Sequence, residues 1–250
     1  MNEAARQWNA PPGRLELASD EVHVWRASLQ APAMVVQRLR TLLSAEEATK
    51  ANRFYFERDR NHYIVARGLL RTLLGRYLAV EPETIIFGYN EYGKPEMQFP
   101  LIDPRLQFNV SHSHELALFA FSYVRELGVD VEYMRTNIEY DDLARHSFSP
   151  NERAVLVGLP PEVKQQAFFN CWTRKEAYIK ARGMGLSLNL ALFDMSLIPG
   201  EPIALLHSRE DPREVTRWRF YELAPGPGYA GALAVEGQEW ALHCWQWQEW

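Results

Sequence analysis

Apolar residues recur along this chain in two rhythms, and the changes between them mark its elements. Val22, Val24, Ala27 and Leu29 alternate with polar neighbours, which predicts a strand over 22–29. Tyr63, Ala66, Leu69, Leu70, Leu73 and Leu74 recur at three- and four-residue steps, which predicts a long helix over 57–77. Ahead of it, Ser44 followed by Glu46 and Glu47 is a helix start, and the helix runs through 48–56. Further strands are expected at 85–89, 106–110, 116–123 and 127–132, with a turn at 91–95. Ser111-His112-Ser113-His114 reads as a turn at the end of the 106–110 strand, and 138–144 as helical. Ser149 as N-cap with Pro150 after it opens another helix. The last long helix covers 162–182 and stops at Gly183. From 187 onward, strands alternate with Pro- and Gly-containing turns, and the aromatic 240–250 end packs on a sheet or on the body. Pro11-Pro12-Gly13 break the pattern of residues 1–20, which predicts a loose N-terminal arm.

Tyr63-Ile64-Val65-Ala66-Arg67-Gly68 returns as Tyr178-Ile179-Lys180-Ala181-Arg182-Gly183, with five of six positions identical. Both hexapeptides are expected at comparable places in long helices. Duplication into two α/β halves explains the match, and so does chance.

Composition adds bounds. A chain of 250 residues, 47% hydrophobic and 24% charged, fits one large or two small globular domains. Its net charge of −5 and the lack of a basic stripe argue against a nucleic-acid binder. Cys171 and Cys244 cannot build a disulfide framework, and Cys171 sits in an apolar helical pattern that predicts a buried free thiol. There is no N-terminal apolar h-region and no run of roughly 18 apolar residues. The expectation is a reducing cytoplasm, without a signal peptide or membrane span.

Candidate chemistry gathers in two segments. Alternate side chains of a strand share a face, so Asp130 and Glu132 project together. Two adjacent carboxylates repel unless a cation or donor lies between them, and Mg²⁺ suits such a site. On that pattern alone, two solvated acids at a strand end are the commoner case. Glu176 and Lys180 are i,i+4 neighbours, which on an exposed helix is only a weak ion pair. Phe168, Phe169, Trp172, Tyr178 and Ile179 surround them, and an ionised Glu beside an apolar stripe needs a metal or a lysine. The turn expected at Ser111 to His114 can hold an anion. Zinc is set aside, because no Cys or further His completes a tetrahedral set. Gly93-Lys94-Pro95 is a turn with a charged tip. Gly-x-Ser-x-Gly, Walker and dinucleotide-binding signatures do not occur. Arg182-Gly183-Met184-Gly185-Leu186 follows a helix and so reads as a helix stop.

Taken in order, Gly93-Lys94-Pro95, Asn109-Val110-Ser111-His112-Ser113, Gly128-Val129-Asp130-Val131-Glu132, Phe148-Ser149-Pro150-Asn151-Glu152 and Trp172-Thr173-Arg174-Lys175-Glu176-Ala177-Tyr178-Ile179-Lys180 closely resemble the surfactin-synthetase-activating class of 4′-phosphopantetheinyl transferases. The resemblance covers about residues 54–196 and, more faintly, 228–235. It implies an α/β (α+β) pseudo-dimer of two similar halves, 21–125 and 126–250, acting as a monomer with its active site in the cleft between them. It also implies Mg²⁺-dependent transfer of the phosphopantetheine arm of coenzyme A to a serine of an apo acyl or peptidyl carrier protein, with release of adenosine 3′,5′-bisphosphate.

Carried over residue by residue, Asp130, Glu132 and Glu176 hold the metal, and Glu176 also takes the serine proton. Lys180 contacts the attacked phosphate. Ser111 and His112 hold phosphates of coenzyme A, and Lys175 orders the carboxylates or contacts phosphate. Lys94 lies near the adenosine. Lys50 and Arg53 match the positions for its 3′-phosphate, although Glu47 stands where some relatives have a Lys. Glu152 matches an acidic position to which no role is assigned. The carrier is expected to dock on 134–148 through Ile138, Tyr140 and Leu143. Carrier proteins are the expected partners, with neither nucleic acid nor membrane involved. A Mg²⁺-dependent nuclease or phosphohydrolase would use the same residue types, and a catalytically silent carrier-binding module is the other alternative.

Overall fold

The fold is seen in a computed structural model that describes residues 7–99, 106–136 and 140–248. In chain order the elements are β1 (Glu21–Ser28), α1 (Ala33–Arg40), α2 (Ala45–Asn52), α3 (Glu57–Leu78), β2 (Ile86–Tyr89), β3 (Pro95–Phe99), β4 (Leu106–Ser113), β5 (Leu116–Tyr123) and β6 (Leu127–Tyr133). They continue with α4 (Tyr140–Ser147), α5 (Pro150–Gly158), α6 (Pro161–Arg182), β7 (Phe193–Met195), β8 (Leu205–Ser208), α7 (Glu214–Arg217), β9 (Trp218–Leu223), β10 (Tyr229–Glu236) and β11 (Ala241–Gln246). The fold class is mixed α+β. No helix among the described residues is long and apolar enough to cross a membrane.

Two sheets carry the architecture, one ordered β11-β1-β5-β4 and the other β6-β10-β9. Strand alternation gives each sheet two apolar faces. Val22, Val24, Leu118 and Ala120 of the first sheet meet Val129, Val131, Leu233 and Val235 of the second in one buried cluster. On the far side of the first sheet, Trp25, Phe119 and Phe121 pack with Leu69 and Leu73 of α3. On the far side of the second, Ala230, Ala232 and Ala234 pack with Ala177 and Ala181 of α6. The result is a helix–sheet–sheet–helix stack in which each long helix backs one sheet.

Both capping signals form as the sequence predicts. Ser44 with Glu47, and Ser149 with Glu152, close reciprocal capping boxes at the starts of α2 and α5. Gly183 ends α6 in the left-handed conformation, at φ 67°. Several expectations change. Helix α1 was not foreseen; it is short and buries only Val35, Val36 and Leu39. Strand β4 runs on through Ser113, so Ser111 to Ser113 are strand, and the turn is left to His114 at φ 53°. Strand β11 leaves the C-terminal half and pairs in parallel with β1. The described part of the N-terminal arm is tied down: the Trp8 indole donates to the Ala224 carbonyl at 2.6 Å, and Asn9 bridges Trp245. The repeated hexapeptides are not equivalent in position, because α3 continues ten residues past Gly68 whereas α6 stops at Gly183.

Candidate active site

Edge strands β4 and β6 lie side by side, joined by side chains instead of a backbone ladder. The Val129 amide donates to Asn109 Oδ1 at 2.9 Å, Val131 to Ser111 Oγ at 3.4 Å, and Tyr133 to Ser113 Oγ at 3.1 Å. Alternate polar residues of β4 thus satisfy the outward amides of β6 and weld the two sheets at their edges. The same hydroxyls reach the acids of β6: Ser111 donates to Asp130 Oδ1 at 2.8 Å, and Ser113 to Glu132 Oε2 at 2.8 Å.

Helix α6 crosses β6 very closely at Gly128. A Cβ there would lie 2.1 Å from the Ala177 carbonyl oxygen and 2.3 Å from the Ala181 nitrogen, so only glycine fits. That approach brings Glu176 and Lys180 of the helix over Asp130 and Glu132 of the strand. Lys180 Nζ donates to Asp130 Oδ1 at 2.6 Å, to Ser111 Oγ at 3.0 Å and to the Val129 carbonyl at 3.4 Å. These three acceptors match the three protons of an ammonium.

The carboxylates repel one another. Burial, then the charge of Asp130, raises the pKa of Glu132, while Ser113 and the Trp172 side chain act in the opposite direction as hydrogen-bond donors and Lys180 by its charge. Burial, then Asp130, lifts Glu176 to about 7 against the pull of Lys180, and Glu132 adds to the rise. Asp130 Oδ2 is buried and makes no hydrogen bond among the described residues. An all-oxygen set of this charge, with one uncommitted buried oxygen, suits a hard divalent cation. Among the described residues, no three His, Cys, Asp or Glu side chains are already disposed as a metal cage. As the protein stands, the cation facing Asp130 is Lys180.

Cations surround this group on the side of the first sheet. His112 projects from β4 with its surface exposed, although protein atoms are dense around it. That crowding, then the positive charges of Lys180, His62 and Lys50, depresses its pKa. His62 was missed in the sequence, where nothing separates it from an ordinary polar residue in the first turns of α3. Lys50 lies over the Tyr63 ring at 5.5 Å and, with Arg53, lines a cavity of about 840 Å³. Glu47 does not oppose an anion there, because its carboxylate is buried against Arg67 and Arg71.

Two of the expected coenzyme A-binding residues, Lys175 and Lys94, have partners within the protein. Lys175 is fully buried, donating to the Leu190 and Phe193 carbonyls at 2.7 Å each and pairing with Glu152 at 2.9 Å. Five residues apart on a helix, Lys175 and Lys180 point roughly 140° apart, so only one can face the cleft. The Lys175 ammonium is therefore committed to partners inside the core. This also gives Glu152 its role: it bonds the Ser149 and Met195 amides as well as Lys175. Lys94 sits at the C-terminal end of α6, bonded to Glu126 at 3.1 Å and to the Ala181 carbonyl at 3.4 Å, a favourable position for a cation. Of the expected docking residues, Tyr140 packs its ring against Phe168, Leu143 is exposed, and Ile138 lies outside the described residues.

Comparison with known proteins gives two family matches. A model described as 4′-phosphopantetheinyl transferase superfamily matches residues 126–234, and one described as 4′-phosphopantetheinyl transferase, N-terminal matches residues 24–123. The 4′-phosphopantetheinyl transferase HetI of Nostoc sp. is 41% identical over 238 residues, which is 95% of this chain and 97% of that protein. The 4′-phosphopantetheinyl transferase Sfp of Bacillus subtilis is 29% identical over 190 residues, 76% of this chain and 81% of that protein. Among solved structures, holo-[acyl-carrier-protein] synthase of Thermotoga maritima aligns with a TM-score of 0.35 at 19% identity, covering 45% of this chain and 63% of that one.

Proposed function

We propose a reaction from one premise: this chain belongs to the 4′-phosphopantetheinyl transferase superfamily and is of the Sfp type. It transfers the 4′-phosphopantetheine arm of coenzyme A to a serine of an apo carrier protein. The observation that carries this reading is the group formed by Asp130, Glu132, Glu176 and Lys180 at the edge-to-edge seam, with Ser111, His112 and Lys50 beside it.

The serine oxygen of the carrier attacks the phosphorus that bears pantetheine. A serine O–P bond forms, and the P–O bond to the other phosphate breaks. That oxygen keeps the electron pair and leaves as adenosine 3′,5′-bisphosphate, and the serine proton passes to Glu176. In the metal-free protein burial, then the charge of Asp130, raises the Glu176 carboxyl to about 7, toward the range that suits a general base. Asp130, Glu132 and Glu176 would hold Mg²⁺. When bound, the ion neutralises charge on the diphosphate and polarises its oxygens. Lys180, on leaving Asp130, neutralises charge on the attacked phosphate. Ser111 and His112 orient the diphosphate, and Lys50 with Arg53 faces the 3′-phosphate across the cavity they line. Leu143, exposed on α4, is a candidate for contact with the carrier, together with Ile138 and Tyr140.

Incubation with coenzyme A, Mg²⁺ and several apo carriers, followed by mass spectrometry, tests the activity. A phosphopantetheine adduct on the carrier serine is the expected product. Unmodified carriers throughout would reject the reading, and nicked plasmid in parallel would favour a nuclease.

A further inference from the structure

We propose that Ser113 is a positioning residue for the reaction, fixing Glu132 in the orientation in which it holds the cation. Its hydroxyl is buried and has two neighbours, the Tyr133 amide at 3.1 Å and Glu132 Oε2 at 2.8 Å. An amide can only donate, so it occupies a lone pair of the serine oxygen and leaves the single hydroxyl proton to the carboxylate. The direction of that bond follows from the chemistry of the partners.

The neighbouring rung repeats the arrangement. Ser111 accepts from the Val131 amide and from Lys180, and its proton goes to Asp130 Oδ1 at 2.8 Å. Each serine of β4 therefore anchors on the amide twenty positions ahead and aims its proton at the acid nineteen positions ahead. Because both strands have a two-residue period, the serine spacing reproduces the spacing of the acids. Strand β4 acts as a template that holds the two β6 carboxylates parallel. Bonds that orient a ligating carboxylate in this way commonly matter as much as the ligand itself.

The inference rests on Glu132 being a cation ligand, and the test separates the two claims. Mn²⁺ serves as probe, read by loss of the free-ion signal in electron paramagnetic resonance, with no turnover required. Ser113→Ala is expected to weaken Mn²⁺ binding roughly ten- to a hundredfold, while Ser113→Thr, which keeps the hydroxyl, binds as the parent does. In a Glu132→Ala background, Ser113→Ala is expected to change nothing further, an outcome that a general loosening of the seam would not give. Should Ser113→Ala fail to fold by circular dichroism, Ser113→Cys keeps the volume with a weak donor and carries the same expectation. Parent-like Mn²⁺ binding by the Ser113 variant beside a defective Glu132→Ala overturns the role of Ser113 alone. Parent-like binding by Glu132→Ala overturns that role and the metal assignment together.

Discussion

Lys180 and Asp130 form a 2.6 Å ion pair at the junction of the two sheets, with Asp130 almost fully buried and Lys180 partly open to the cleft. The same lysine that is to neutralise a phosphate thus holds the carboxylate that is to hold the cation. A unit positive charge a few ångströms away opposes a second cation by about 1–4 kcal/mol at intermediate dielectric. Lys180→Met is therefore expected to abolish transfer yet tighten Mn²⁺ binding by the free protein roughly tenfold. Weaker Mn²⁺ binding in this variant would contradict a lysine that competes with the ion.

Lys175 is predicted to behave in the opposite way. Removing one partner of a buried ion pair leaves an uncompensated charge, a loss of about 3–5 kcal/mol. Lys175→Met should lower the chemical-denaturation midpoint accordingly, because Glu152 and the Leu190 and Phe193 carbonyls lose their common donor. Lys180→Met should lower it by less, because Lys180 is partly open to the cleft and Ser111 still donates to Asp130. Equal stability of the two variants would count against this division.

These two lysines mark where the sequence was legible and where it was not. The capping boxes at Ser44 and Ser149 and the stop at Gly183 could be read because each depends on residues within four positions of one another. The face of α6 could not, since strands β6 and β10 cover one side and α5 and β7 the other. With polar and apolar residues intermixed on every side, and Asn170, Thr173, Arg174 and Lys175 all buried, the helix gives no periodicity that separates an inward lysine from an outward one. The serines of β4 misled for a related reason. Alternate polar residues normally face water, but here they face the amides of another sheet, a partner that local pattern cannot reveal. The acids of β6 were placed correctly on one face by alternation alone, and Gly128 explains how a helix can lie over them.

Gly128 yields the third prediction. In Gly128→Ala the new methyl collides with the backbone of α6 at Ala177 and Ala181, atoms that cannot swing aside. The strand and helix must separate, at a cost of at least about 3 kcal/mol. A lowered thermal midpoint together with lost Mn²⁺ binding is expected, and retention of both would show that the close approach is dispensable.

Far from the cleft, His23 predicts the acid response. It is buried with Tyr77, Trp25, Trp245, His243 and Glu21 around it. Burial, opposed by Glu21 and reinforced by His243, lowers its pKa from 6.5 to about 4. The unfolded chain therefore takes up this proton first as pH falls. The contribution is fully present above pH 6.5, declines toward pH 4 and is then exhausted, a change of up to about 3 kcal/mol. Glu21, also lowered, adds loss in the same direction below its usual range. Urea midpoints measured across this window should fall for the parent and fall less for His23→Gln; parallel slopes would remove His23 as the cause.

The most direct test of the account is single-turnover labelling of an apo carrier by Glu176→Gln, with coenzyme A and Mg²⁺ saturating. Gln keeps the shape but can neither take the serine proton nor contribute a charge to the group around Asp130. The account predicts a fall of at least about a thousandfold in the transfer rate, with an unchanged denaturation midpoint. Transfer within a few-fold of the parent rate would contradict the assignment of Glu176 and, with it, the chemistry proposed for the seam.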